Sequence, residues 1–254
     1  MQMLHMNSSE AVAYHIPTTP PTLSHPILKT TIALPRHSQW TSGPHFHARH
    51  TESLRLVQGA IYVSLGRESQ IWSAKAGGRM NATQQPEKSQ GLVIHVPRYA
   101  RHEWMRASAW YARRGLHGWG PETLRPEDVD DEVVVEEWTD PSDLGKPLFF
   151  WNLNGVVAAA QDGPVPLGQR VLRWGLGRWW VPFQLFVIFW DLDNWPVFGL
   201  RPWVFEFMEG PLEYVLSFLV LFTAKVLGWL VGVRAVEQGR TPSGLWEQYS
   251  RKGV

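Results

Sequence analysis

Four side chains of metal-binding types occur at a suitable spacing in this sequence: His45, His47, Glu52 and His102. The first three belong to an H-x-H-x4-E-x6-G pattern, and the fourth closes a G-x5-P-x4-H pattern. Three imidazoles and one carboxylate form a ligand set that first-row transition metals accept. The sequence therefore predicts a divalent metal centre. Four protein ligands on a six-coordinate ion would leave two positions for substrate, water or dioxygen.

The elements that must position these ligands are β-strands. Side chains alternate along a strand, so His45 and His47 share one face while Phe46 takes the other. The next four residues can turn the chain into a second strand, which begins with Glu52. His102 lies fifty positions after Glu52 and must come from a later strand across the interior.

Strand alternation also predicts which side chains line the metal pocket. Two residues near the ligands are candidates for catalysis. Four side chains are expected to line the metal: Leu54, Leu56, Tyr62 and Trp104. Glu52 is a candidate base if it loosens from the metal. Tyr99, the second candidate, stands in the turn before His102, where glycine would fit more easily. Its ring either reaches the pocket or caps the barrel, and the sequence leaves both open.

Residues 27–155 are expected to form a mainly β domain, a sandwich or small barrel, after a flexible N-terminal arm at 1–26. Short alternating runs cut by Gly, Pro and Ser predict strands at 30–34, 44–48, 53–57, 60–65, 69–73, 92–96, 102–106 and 133–138. Residues 148–153 are a candidate last strand, Gln58-Gly59 is a hairpin signal, and 74–90 and 121–131 read as loops.

Residues 164–236 form an apolar region that is expected to be helical, followed by a polar tail at 237–254. The stretch 212–233 would make a helix about 33 Å long, enough for a hydrocarbon core of about 30 Å. Flanking tryptophans and the second apolar stretch, 179–190, favour a membrane segment at the cytoplasmic face or an endomembrane. The alternative is a buried helical hairpin that packs on the β domain.

Several classes of function find no support in the composition and motifs. A net charge of +1 gives no argument for a nucleic-acid partner. The absence of cysteine removes thiolate catalysis and disulfides. No G-x-G-x-x-G follows a strand and no G-x-S-x-G occurs, so neither nicotinamide binding nor a serine nucleophile is expected. Residues 1–20 lack the pattern of a secretory signal, and a homodimer is left open.

The two patterns resemble the two motifs of the cupin superfamily, whose fold is a double-stranded β-helix barrel. The second motif departs at Tyr99, where glycine is usual, and at Arg106, where asparagine is usual. The segments VPRYARHEW, EEWTDP and FFWNLN, with the apolar tail, are similar to fungal cupin-domain proteins encoded beside polyketide synthases. That resemblance implies an oxidoreductase of a salicylaldehyde-type pathway.

Three kinds of function remain open at this point. The first is a metal-dependent oxidoreductase acting on an apolar, polyketide-derived intermediate, or a cyclase or dehydratase that uses the metal as a Lewis acid. The second is a binding or sensor module that leaves its ligand unchanged. The third is a membrane scaffold with a degenerate barrel, which four intact ligands argue against. Iron is the first expectation for the metal, while Mn, Ni, Cu and Zn accept the same ligands.

Overall fold

The computed structural model describes residues 2–4, 10–80, 92–113, 131–159, 166–198 and 209–251. The chain divides into two compact units. The first contains Met1–Pro17 and Ser24–Asp143, and the second contains Thr18–Leu23 and Leu144–Val254.

Two antiparallel sheets build the first unit. One sheet contains, in spatial order, β1 (Gln2–Leu4), β2 (Val12–His15), β3 (Thr30–Leu34), β11 (Val133–Asp140), β5 (Thr51–Gln58) and β9 (Val93–Val96). The other orders the remaining strands of this unit as β4 (His45–Phe46), β10 (His102–Arg106), β6 (Ala60–Leu65), β7 (Glu68–Ser73) and β8 (Gly78–Met80). This is the cupin-type barrel that the sequence predicts, and all eight proposed strands occur within a few residues of their expected bounds.

The barrel interior is filled by the side chains that point inward from both sheets. On β11 the burial alternates strictly, which is the pattern of a strand with one face in the core. The fully buried side chains of the interior include Ile32, Leu34, Leu54, Leu56, Ile61 and Trp104. Each such side chain stabilises the fold by about 1.5–3 kcal/mol relative to an exposed one.

The N-terminal arm predicted at 1–26 contains strands instead. β2 pairs with β3, and its Val12 and Tyr14 are buried. β1 in turn pairs with β2. The four residues of β2 alternate correctly, but such a short run among Ser, Thr and Pro carries too weak a periodicity to be recognised. Pairing with β3 at the edge of the sheet stabilises this strand, although its local sequence shows only a weak strand pattern.

The hairpin predicted at Gln58-Gly59 is wrong, because the two strands that flank Gly59 belong to different sheets. β5 pairs with β9 and β11, whereas β6 pairs with β10 and β7. Gly59 therefore turns a corner between sheets, at φ +80°. A Cβ atom there would lie 2.7 Å from the carbonyl oxygen of Glu132 and 3.1 Å from the Cα atom of Val133, so only glycine fits.

Two predicted loops are described only in part. Within 74–90, the residues of β8 pair with β7, and residues 81–91 lie outside the described part. Most of the loop at 121–131 also lies outside the described residues.

The sequence did not reveal α1 (Ala107–Arg113), which follows β10 directly. Trp110 of this helix stacks on Tyr62, with ring centroids 4.5 Å apart.

Helices dominate the second unit. They are α2 (Gly145–Ala158), α3 (Leu167–Leu176), α4 (Trp180–Asp191), α5 (Glu209–Val231) and α6 (Ser243–Arg251), with 3-10 turns at Gly177–Trp179 and Gln238–Arg240 and a two-residue strand, β12, at Trp195–Pro196. The strand suggested at 148–153 is wrong, because these residues lie inside α2. A six-residue apolar run does not by itself distinguish a strand from a buried helix.

The two apolar stretches of the sequence become α4 and α5, which pack against each other. The Lys225 ammonium donates a hydrogen bond to Asp191 at 2.7 Å, and a Cβ atom on Gly228 would come within 2.9 Å of Val187. Higher numbers on one helix thus meet lower numbers on the other, so the pair is antiparallel. By length and composition Pro211–Val231 is the one described helix that could cross a membrane, and 22% of its most apolar stretch is buried.

We predict that Gly59→Ala destabilises the protein much more than Gly66→Ala. Both positions have positive φ, but nothing lies within 4 Å of a Cβ atom at Gly66. The left-handed conformation alone costs about 1 kcal/mol at Gly66, while the backbone clash raises the loss at Gly59 to about 3 kcal/mol. Urea unfolding of both variants measures this difference, and equal losses would contradict the corner geometry.

Candidate metal centre

Both sheets contribute ligands to the four-residue cluster. His45 on β4 pairs directly with His102 on β10, so the two side chains point to the same side of their sheet. His47 follows β4, and Glu52 comes from β5 of the other sheet. Their exposed fractions are only 7%, 4%, 1% and 1% for His45, His47, Glu52 and His102. The structure thus brings together all four ligands that the sequence predicts.

The potential ligand atoms of the four residues all lie within 4.8 Å of one another. One oxygen of Glu52, Oε2, is 2.8 Å from Nε2 of His102 and 3.5 Å from Nε2 of His47. The ring centroids of His45 and His102 are 4.0 Å apart. Because ligands on opposite sides of one ion at bond lengths near 2.1 Å are separated by about 4 Å, a small closure suffices to share an ion.

The hydrogen bonds of the imidazoles fix which nitrogen faces the centre. Nδ1 of His45 is 2.8 Å from the carbonyl oxygen of Gly43, and Nδ1 of His102 is 3.0 Å from that of Ala100. A carbonyl oxygen only accepts, so both Nδ1 atoms carry the hydrogen and both Nε2 atoms hold a lone pair when the rings are neutral. Orientation of a ligand histidine by its other nitrogen is the usual arrangement around protein-bound metals.

The electrostatics of His102 favour a cation between it and Glu52. Burial lowers the pKa of His102 from 6.5 to about 4, although its bond to Ala100 acts in the opposite direction. At neutral pH the lone pair on Nε2 would therefore face the Glu52 carboxylate at 2.8 Å. Two acceptors at that distance need a shared proton or cation. The donor set and its geometry thus fit a divalent metal ion.

Tyr99 adopts the left-handed backbone conformation that glycine takes most easily. Its φ is +62°, and its N–H donates to the carbonyl oxygen of His47 at 2.7 Å. The side chain is 53% exposed, with its ring 6.4 Å from that of Phe46. The turn is therefore kept despite the substitution, and it holds the chain beside a ligand. Exposure of more than half the side chain favours capping of the barrel over a role deep in the pocket.

Three of the four side chains predicted to line the metal point into the barrel, and the fourth does not. Leu54, Leu56 and Trp104 are fully buried on the strands that carry Glu52 and His102. Tyr62 points to the other face of its sheet, because its neighbour Val63 is the residue that pairs with Trp104. Its ring stacks on Trp110 and its hydroxyl lies 2.8 Å from that of Ser69.

Arg106, which replaces the usual asparagine, has a structural role at the far end of β10. It is 1% exposed, and its Nη1 donates to the carbonyl oxygens of Leu34 and Pro35, each at 3.1 Å. The guanidinium thus satisfies backbone acceptors at the end of β3. Hydrogen bonds from a buried guanidinium to carbonyl oxygens satisfy polar groups of both partners.

Sequence reasoning missed a buried carboxyl group beneath the metal ligands. Glu137 on β11 pairs with Leu54, which is two residues from Glu52, so the two glutamates are about 7 Å apart along the strand direction. The Trp104 indole N–H donates to Glu137 across the barrel at 2.8 Å. Burial raises the pKa of Glu137 from 4.5 to about 7, although this hydrogen bond acts in the opposite direction. The signal was available, because Glu137 interrupts the apolar alternation of Val133 and Val135.

No family model and no curated protein matches this chain. Among solved structures it is similar to KdgF from Halomonas sp., at 16% identity and a TM-score of 0.32, over 55% of this chain and 87% of that one. A cupin-like protein from Thermotoga maritima matches at 12% identity and a TM-score of 0.32, over 55% and 78% of the two chains. A cupin 2 conserved barrel domain protein from Rhodopseudomonas palustris matches at 12% identity and a TM-score of 0.32, over 56% of this chain and 71% of that one.

The fold class rests on the two antiparallel sheets, and the nature of the site rests on its ligands. Together they give a barrel of the cupin type with a His-His-Glu-His cluster that could bind a metal ion.

Glu137 is expected to make stability depend on pH. Its pKa is higher in the folded state than the ordinary value, so its stabilising contribution is complete below about pH 4.5 and is lost as the pH rises through about 7. The loss is on the order of 3 kcal/mol. Glu137→Gln keeps an acceptor for Trp104 and should abolish this fall in unfolding free energy between about pH 5 and 8.

The matched control is Glu136→Gln, which changes the neighbouring carboxylate on the other face of β11, where it pairs with Lys29. That variant should retain the wild-type slope. Urea unfolding across the pH range provides the measurement, and parallel profiles for wild type and Glu137→Gln would show that Glu137 is ionised throughout.

Proposed function

We propose that this protein is a metal-dependent cupin-domain oxidoreductase that acts on an apolar, polyketide-derived intermediate in fungal secondary metabolism. The observation that carries the proposal of an enzyme is the convergence of three imidazoles and one carboxylate at one buried point. A buried carboxylate among neutral imidazoles is costly without a compensating charge, so a cation is the natural occupant.

The metal would be held by Nε2 of His45 and His102, by His47 and by the carboxylate of Glu52. A bound redox metal would supply electron transfer between substrate and dioxygen, and iron is the first expectation for this nitrogen and oxygen ligand set. The protein itself contributes orientation, because carbonyl oxygens hold the rings of His45 and His102 in place. Glu52 is the candidate group to accept a proton from a substrate.

The proposed substrate class is supported by the surroundings of the site and by the sequence. Leu54, Leu56 and Trp104 give the interior an apolar wall, which suits a poorly water-soluble molecule. The polyketide assignment is supported by the resemblance of the three segments VPRYARHEW, EEWTDP and FFWNLN to fungal cupin-domain proteins. An alkyl-substituted hydroxybenzyl alcohol and the matching aldehyde are therefore reasonable probes of activity.

His47→Ala is expected to lower the metal content of the purified protein to less than about a tenth of wild type, because loss of one of four ligands weakens binding by a factor of ten to a hundred or more. Elemental analysis after mild dialysis measures the metal and names it. His95→Ala is the matched control, since this exposed histidine lies on β9 and its Nδ1 is 3.1 Å from the Ser53 hydroxyl. Equal metal content in both variants would contradict the site.

Turnover measurements separate the two enzymatic mechanisms and the sensor function that the sequence leaves open. An oxidoreductase should consume dioxygen together with the probe alcohol and should lose activity when a chelator removes the metal. A Lewis-acid cyclase or dehydratase would keep its activity in zinc-loaded, anaerobic protein. A sensor would bind the probe and return it unchanged. Full turnover by metal-free protein would rule out every metal-dependent version of the proposal.

A further inference from the structure

The long helix α5 presents a continuous apolar stripe to solvent. Seven of the eight large apolar residues exposed on the described part of this helix recur every three or four positions and so lie on one face: Val215, Phe218, Leu219, Phe222, Val226, Trp229 and Leu230. The eighth, Leu227, lies at the side of this face. The opposite face is covered, with Ser217, Leu221 and Ala224 buried. Phe218, Phe222 and Trp229 are 47%, 46% and 75% exposed. Large aromatic side chains in such a row indicate an interaction surface.

The shorter helix α3 carries a second apolar stripe, which the sequence reading overlooked. Leu167, Val171 and Trp174 stand four and three positions apart and are 69%, 63% and 88% exposed. No residue of α3 is buried. Arg170 and Arg173 flank this stripe on the same helix, so α3 is an amphipathic basic helix whose apolar face points to solvent.

Helix α3 contacts the C-terminal end of α5. The Gln169 side chain donates a hydrogen bond to the carbonyl oxygen of Gly232 at 3.1 Å. A Cβ atom on Gly168 would lie 3.7 Å from the side chain of Val231. The first turn of α3 therefore packs beside the end of α5, and we refer to the exposed stripes of these two neighbouring helices together as the apolar patch.

We propose that the apolar patch binds in the plane of an anionic phospholipid membrane surface. The apolar side chains of both helices would enter the boundary between headgroups and acyl chains, which is the usual depth for an amphipathic helix. Arginines beside the patch complement the phosphate and carboxylate groups of anionic lipids, and their long stems can extend to the headgroups. Trp174 and Trp229 have the amphipathic rings that are enriched at this boundary.

Attachment in the plane fits the structure better than a spanning helix. The covered face of α5 packs on α4, and the Lys225–Asp191 ion pair lies between the two helices. If α5 crossed the bilayer, α4 would have to enter with it. At 12 residues α4 is about 18 Å long, well short of the hydrocarbon core of about 30 Å. This assignment differs from the spanning segment predicted at 212–233 and is independent of the proposed metal chemistry.

The test is co-flotation of the full-length protein with phosphatidylcholine vesicles, with and without phosphatidylserine. The wild type should bind vesicles that contain phosphatidylserine about tenfold more tightly than those without it. The triple variant Leu167→Ser/Val171→Ser/Trp174→Ser should lose binding at least about tenfold. The matched control is Leu23→Ser/Ile27→Ser/Val57→Ser, which changes three exposed apolar residues elsewhere and should bind like wild type.

Two further measurements complete the design. Arg170→Gln/Arg173→Gln should remove most of the preference for phosphatidylserine while leaving weak binding to both vesicle types. Protein expressed in cells should be released from membranes by alkaline carbonate. Retention in the carbonate-washed membrane would overturn attachment in the plane in favour of spanning. The proposal also fails if the triple variant binds like wild type, or if its only effect is to dissociate a dimer in solution.

Discussion

The barrel depends on the compensation of one buried charge, the carboxylate of Glu52. This group is 1% exposed, and one of its oxygens faces two histidine nitrogens, at 2.8 and 3.5 Å. Placing an ionised carboxylate in such an interior costs several kcal/mol unless a cation or proton accompanies it. Because the rings of His45 and His102 are held with their hydrogens on the opposite nitrogen, the cluster is arranged to receive a positive charge. Folding and metal binding are therefore expected to be coupled at this point.

A second polar contact crosses the barrel below the first. The Trp104 indole donates to Glu137, just as the ligand layer above joins His102 to Glu52. Thr30, which pairs with Glu137, is fully buried and its hydroxyl makes no hydrogen bond within the described part of the chain. The interior is thus built in layers in which polar groups from the two sheets meet. Such groups specify the alignment of the sheets more sharply than apolar contacts would, since an unpaired polar group is costly.

The parts of the fold that could be predicted from the sequence are those with strong local periodicity or unusual chemistry. The four ligands were recognised because histidine and glutamate occur at fixed positions relative to turn residues, and strand alternation then placed them on the right faces. Strand alternation gave the wrong face for Tyr62, because the position of a strand in the sequence does not reveal which of its two faces points into the barrel. β2 and the true role of Gly59 were missed for a different reason. Both depend on which distant strand is the neighbour, and local sequence does not encode sheet order.

In the helical unit, average composition does not reveal the exposed apolar stripe of α3. The sequence drew attention to 212–233 because its mean hydropathy is high, whereas α3 contains two arginines and one glutamine among its ten residues and so does not stand out. Yet three of its five apolar side chains, those of Leu167, Val171 and Trp174, are among the most exposed large apolar side chains of the described chain. Average apolarity identifies long helices, but the direction in which each side chain points decides whether a helix is covered by protein or by lipid. A helix with basic residues beside an exposed apolar stripe is better suited to the membrane boundary than a uniformly apolar one, because both of its faces are satisfied there.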